Sequence, residues 1–71
     1  MFLISFGYDE YQDGTESADT LADAVEIAQY TRNLSDDEAA ELRLNLYLSR
    51  VDAIGGEEWI SIEPVGVMVA A

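Results

Sequence analysis

A two-layer α+β domain with the element order β-α-β-β is the fold class this 71-residue sequence predicts, and three stretches predict it. "MFLISFGY" places large apolar residues at every second position, "TLADAVEIAQYTRN" carries an apolar stripe at helical spacing, and "LRLNLYLS" alternates leucine with more polar residues throughout. The expected architecture is a three-stranded, mainly antiparallel sheet with one long helix on one face and a possible short second helix. A chain of this length forms one domain, residues 1–71, and buries only roughly 60% of the surface its unfolded form exposes.

The first strand sets Phe2, Ile4, Phe6 and Tyr8 on one face and Met1, Leu3, Ser5 and Gly7 on the other. "YDEYQDGTESAD", Tyr8 to Asp19, reads as an acidic loop. Thr20 is the expected helix N-cap with Asp23 three residues on, and Ser17 is an alternative cap. Leu21, Val25 and Ala28, flanked by Ala22 and Ala24, face the sheet, while Asp19, Asp23, Glu26 and Tyr30 fall on the opposite side. The helix should stop near Asn33.

Ser35 and Glu38 then stand at capping-box spacing and open a short second helix or a single turn of one. The alternation of Leu42, Leu44, Leu46 and Leu48 with Arg43, Asn45, Tyr47 and Ser49 predicts a strand, with Leu44 and Leu46 on the buried face shared with Ile4 and Phe6. "DAIGG" is a turn, and "EEWISIEPVGVMV" is a last strand that pairs with its predecessor as a hairpin. Its Ile60 and Ile62 lie on one side and Trp59, Ser61 and Glu63 on the other, with Pro64 and Gly66 marking a bend or an edge.

Charge narrows the function classes. Fifteen Asp and Glu stand against three Arg and no Lys, a net charge of −12, of which −7 lies in residues 1–31 and −5 in residues 32–71. Such a field repels nucleic acid and anionic membranes and strains the compact state by self-repulsion. The absence of Cys and His removes disulfides, thiolate metal sites and the usual general base. The start "MFLISFGYDE" has no basic n-region and its apolar run is short, so a cytoplasmic protein is expected, and "VGVMVAA" is too short to span a bilayer.

No catalytic constellation emerges. Asp9, Asp13 and Gly14 match positions 1, 5 and 6 of a calcium loop, but Tyr11 and Thr20 stand where positions 3 and 12 need oxygen ligands. Asp36, Asp37 and Glu38 sit at a helix N-terminus, where the macrodipole favours acids, and Glu57 and Glu58 border a turn; a chain this short has little material for a cleft around either cluster. Gly55 and Gly56 lack the Lys and helix of a phosphate loop. Arg32, Arg43 and Arg50 are expected to pair with local carboxylates. The chain is thus read as a non-enzyme with no cofactor and no metal.

Two surfaces remain as partner sites. Asp9, Glu10, Asp13, Glu16, Asp19, Asp23 and Glu26 form one acidic region, extended by Asp36, Asp37 and Glu38. Carboxylates on successive helical turns lie roughly 5–6 Å apart, comparable to the phosphate repeat of about 3.4 Å along one DNA strand. The alternative surface is the sheet face bearing Tyr47 and Trp59, an aromatic anchor among polar neighbours.

In charge, size and architecture the chain resembles the small acidic phage-encoded anti-CRISPR and anti-restriction proteins that act as DNA mimics. That resemblance implies a monomeric, stoichiometric inhibitor in the host cytoplasm. Its partner would be the basic DNA-binding or PAM-reading surface of a CRISPR effector, most plausibly a multisubunit surveillance complex, with no direct contact to nucleic acid or membrane. Two other readings are a small interaction module, antitoxin-like or a regulatory subunit, working through Tyr47 and Trp59, and a salt-adapted domain.

Overall fold

The computed structural model describes residues 1–66, an α+β domain whose elements run β1 (Phe2–Tyr8), β2 (Tyr11–Ala18), α1 (Leu21–Arg32), α2 (Asp36–Asn45), β3 (Tyr47–Val51) and β4 (Glu57–Pro64). The sheet has four antiparallel strands, not three, in the order β2-β1-β4-β3. Two hairpins flank a pair of helices, which carry the chain from one sheet edge to the other across a single face. The part of the expected last strand that falls on residues 67–71 lies outside the described residues.

The strand missing from the sequence reading is β2. Its only buried residue is Ala18, so period-two apolar alternation is absent. What holds it is the backbone ladder to β1, from Tyr8 opposite Tyr11 to Phe2 opposite Ala18, across a two-residue turn in which Asp9 takes a left-handed φ of 53°. The register shifts once, between Phe6 and Gly7, a bulge of the kind that edge strands accommodate.

The second correction concerns residues 42 to 46, which continue a helix and do not start a strand. Ser35 and Glu38 complete a reciprocal capping box, and the run that follows is rich in Ala, Glu, Leu and Arg, all good helix formers. Helical spacing puts Ala39 and Leu42 on the buried side and swings Leu44 outward, 83% exposed, contrary to the expected burial of Leu44. Leu46 closes the helix in the left-handed region at φ 60°, its N–H bonded to the Leu42 carbonyl at 2.7 Å. That conformation costs a non-glycine residue about 1–2 kcal/mol. Packing of Leu46 against the core and acceptance of the Ile62 N–H by its carbonyl at 2.9 Å offset the cost. Alternation becomes real only at β3, where Leu48 is buried between exposed Tyr47 and Ser49. The "short second helix" is therefore ten residues long, against twelve in α1.

The first helix follows expectation. Thr20 caps it by accepting from the Asp23 N–H at 3.1 Å, and Asn33 ends it in the left-handed region. Ala24, Val25 and Ala28 are buried against Ile4, Phe6, Leu48, Ile60 and Ile62 of the sheet together with Leu34, Ala39 and Leu42. Alanine at the contact positions lets both helices lie close on the strands. The opposite sheet face carries Leu3, Ser5, Gly7, Tyr47, Ser49, Trp59 and Ser61, and no described element covers it. Removing a fully buried leucine leaves a cavity, so Leu42→Ala should cost about 2–5 kcal/mol. Leu44→Ala should stay within about 0.5 kcal/mol, and thermal unfolding of the two variants checks the assignment of this segment to a helix.

Candidate functional site

Only three side chains carry positive charge, and where they sit decides which carboxylates stay free. Arg32, in the last turn of α1, pairs with Asp13 of β2 at 2.5 Å and stands 4.9 Å from the centre of the Phe6 ring. Arg50 of β3 donates to Glu58 of β4 at 2.6 Å, to Glu38 of α2 at 3.4 Å and to the Arg32 carbonyl at 3.1 Å. The hydrogen bond to Glu58 holds the Arg50 proton more tightly than usual, and Glu38 adds to it. Glu38 in turn is held below the usual carboxylate range, first by the Ser35 N–H and then by Arg50. Arg43 makes no ion pair among the described residues.

The ten predicted acids therefore divide. Asp13 and Glu38 are neutralised by arginine, and Asp36 accepts from Gln29 Nε2 at 3.1 Å. Asp9 is a building element of its turn: its N–H donates to the Glu57 carbonyl at 2.7 Å, its carboxylate accepts the Glu57 N–H at 2.8 Å, and its carbonyl accepts Trp59 Nε1 at 3.0 Å. Glu10 is exposed at the tip beside it, and Asp37 is exposed at the start of α2.

Asp19, Asp23 and Glu26 are the acids brought together without a cation, whereas Glu16 lines a second groove with Asp13 and Arg32. The three lie at the end of β2 and on the outward side of α1, where Ala18, Asp19, Asp23, Glu26, Ile27 and Tyr30 line an open groove. Tyr30 is 90% exposed on its rim. Asp23 and Glu26, both on α1, are about 4.5 Å apart along the helix axis, comparable to the phosphate repeat of about 3.4 Å along one DNA strand. Among the described residues no group of three or more acids closes into a metal-binding cluster.

Trp59 and Tyr47 do project from the uncovered sheet face, with different degrees of freedom. Trp59 lies over Gly7, its partner across the β1–β4 ladder, where any Cβ would run into the indole. With Nε1 also bonded to Asp9, Trp59 is fixed as part of the fold. Tyr47, 45% exposed on edge strand β3, is free.

Asp52 was overlooked in the sequence, although an Asp opening "DAIGG" is the signal for a side-chain-braced turn. Its carboxylate accepts the N–H groups of Ile54 at 3.0 Å and Gly56 at 2.9 Å, and the Tyr8 hydroxyl donates to its other oxygen. Gly56 gives the Tyr8 ring the room to reach across. The bond to Tyr8 lowers the Asp52 pKa, while the same bond, with the carboxylates of Asp52, Asp9 and Glu58 around it, pushes Tyr8 up to about 12.

Comparison with protein-family models, with curated proteins and with solved structures finds no match to this chain. No helix of the described residues is long and apolar enough to cross a membrane. The Tyr8 contact yields a direct check. Because the neutral phenol is the favoured form, Tyr8 should ionise near pH 12. Asp52→Asn should bring it back toward 10.0, as followed by phenolate absorbance. Ionisation of Tyr8 near its ordinary 10.0 in the parent would contradict the contact.

Proposed function

We propose that this chain is an acidic inhibitor protein that offers the β2–α1 edge as a stand-in for a DNA strand, with the basic DNA-binding surface of a CRISPR effector as its partner. The observation that carries this reading is the group Asp19, Asp23 and Glu26, exposed along one groove that no positive side chain lines. Two of the three arginines are spent on joining helices to the sheet, so the charge on this edge is left for a partner to neutralise.

Rigidity favours the same reading. The acids stand on a capped helix and at the end of a paired strand, so little side-chain and backbone freedom is lost when a cationic groove closes on them. Charge of one sign over such a surface also speeds encounter with an oppositely charged partner. The role is that of a stoichiometric cytoplasmic inhibitor, with no chemistry asked of any side chain. The competing aromatic reading is weakened by Trp59, which is committed to Gly7 and Asp9.

A purified, guide-loaded multisubunit CRISPR surveillance complex is the probe. Changing Asp19, Asp23 and Glu26 together to Asn, Asn and Gln should weaken binding at least about tenfold with the circular dichroism spectrum unchanged. Binding of the parent should fall with added salt, and double-stranded target DNA should compete with it. Equal binding by the triple variant, with loss on changing exposed Tyr47 to Ala, would transfer the function to the sheet face.

A further inference from the structure

The two edges of the sheet are unlike. β2 carries Asp13 and Glu16 and a bulge in its ladder, devices that keep an edge strand from pairing with another chain. β3 has neither. The segment 42–56, which contains β3, holds two arginines against one aspartate, a net +1 in a chain whose remaining residues carry −13. Four large apolar side chains are exposed in it: Leu44 at 83%, Tyr47 at 45%, Val51 at 70% and Ile54 at 89%.

The backbone of β3 is ready for a further strand. Leu46 and Asp52, on either side of it, both bond to β4, through Ile62 N–H to the Leu46 carbonyl and Asp52 N–H to the Gly56 carbonyl. Antiparallel ladders alternate, so the even-numbered residues face β4 and the N–H and C=O groups of Tyr47, Ser49 and Val51 point away from the sheet. Their side chains share the uncovered face, because Leu48 between them is buried under the helices.

We infer that β3 pairs with β3 of a second copy of this chain, antiparallel about a two-fold axis through Ser49, to make one continuous sheet across two subunits. In that register Ser49 faces Ser49 of the other copy and Tyr47 faces its Val51. Six outward backbone groups on each copy are satisfied in about six hydrogen bonds. Each Tyr–Val pair is an aromatic with a β-branched residue, a favourable cross-strand combination. Charge favours this edge over β2, although Glu57 and Glu58 stand one strand in from it on β4, Glu58 paired with Arg50. Across the sheet, β3 lies about 14 Å from β2 at the usual strand spacing, beyond the screening length of roughly 10 Å in 0.1 M salt. Pairing through β2 would instead bring the acidic edges of both copies together. The dimer presents its two acidic edges at opposite ends. Its existence does not depend on the inhibitor reading.

Sedimentation equilibrium of the full chain tests the pairing. The expected mass is twice 7.8 kDa, with association strengthened by added salt as the repulsion between two acidic chains is screened. Ser49→Pro removes the N–H at the axis and Val51→Asp places a charge against the facing tyrosine; each should weaken the dimer about tenfold or more. A nitroxide on Ser49→Cys, the sole thiol of that variant, should show strong dipolar broadening, since the two Cα atoms lie about 5.5 Å apart. The same label on Thr15→Cys of β2 should show none. A monomer at every concentration and salt level overturns the inference, as does a dimer that both substitutions leave intact or that lacks broadening at position 49. A monomer that recruits a foreign protein through β3 overturns it as well, by assigning the edge another occupant.

Discussion

Scarcity of positive charge is the constraint on which this structure turns. Two of the three arginines sit where a helix meets the sheet: Arg32 fastens the end of α1 to β2 through Asp13, and Arg50 ties the start of α2 to β3 and β4 through Glu38 and Glu58. Arg50 also reaches the Arg32 carbonyl, so the two joints are linked. Both guanidinium groups are partly shielded from solvent, which preserves more of their attraction than a fully exposed pair would keep. In a domain with so small a core, these joints carry cohesion that a larger protein would obtain from apolar burial.

What the arginines do not reach then acquires meaning. At one end of the sheet, Asp9 and Asp52 are absorbed by turns, bonded to backbone N–H groups and to Tyr8 and Trp59. Along the β2–α1 edge the carboxylates have no such duties. The sheet thus has a negatively charged edge and a nearly neutral one, and the partner binding and self-association proposed above fall on these opposite strands.

Much of this was legible in the sequence where the local signal was chemical. The Thr20 cap, the Ser35–Glu38 box and the alternation of Phe2, Ile4 and Phe6 each name a backbone conformation through a hydrogen bond or a buried face, and the structure contains all three. The failures came where two periods coincide or where no side chain reports. Leu42 and Leu46 are spaced for a helix as well as for a strand, and the capping box upstream decides for the helix. β2 is held by its backbone partners in β1, whose register depends on the two-residue turn "DE" more than on any side chain of β2 itself. The acidic surface was visible as a count. Its division into paired, turn-building and free carboxylates depended on the reach of Arg32 and Arg50 in space.

The central claim is that the charge on the β2–α1 edge is uncompensated, and thermal unfolding in low and high salt tests it without reference to any partner. Glu26→Gln removes an edge charge from an exposed side chain outside the caps and ion pairs. The account predicts a higher Tm than the parent in dilute buffer, with the gap closing as salt screens the repulsion. An equal or lower Tm in dilute buffer would mean that this carboxylate is already balanced within the fold, and the edge would lose its claim to be a surface built for a cationic partner.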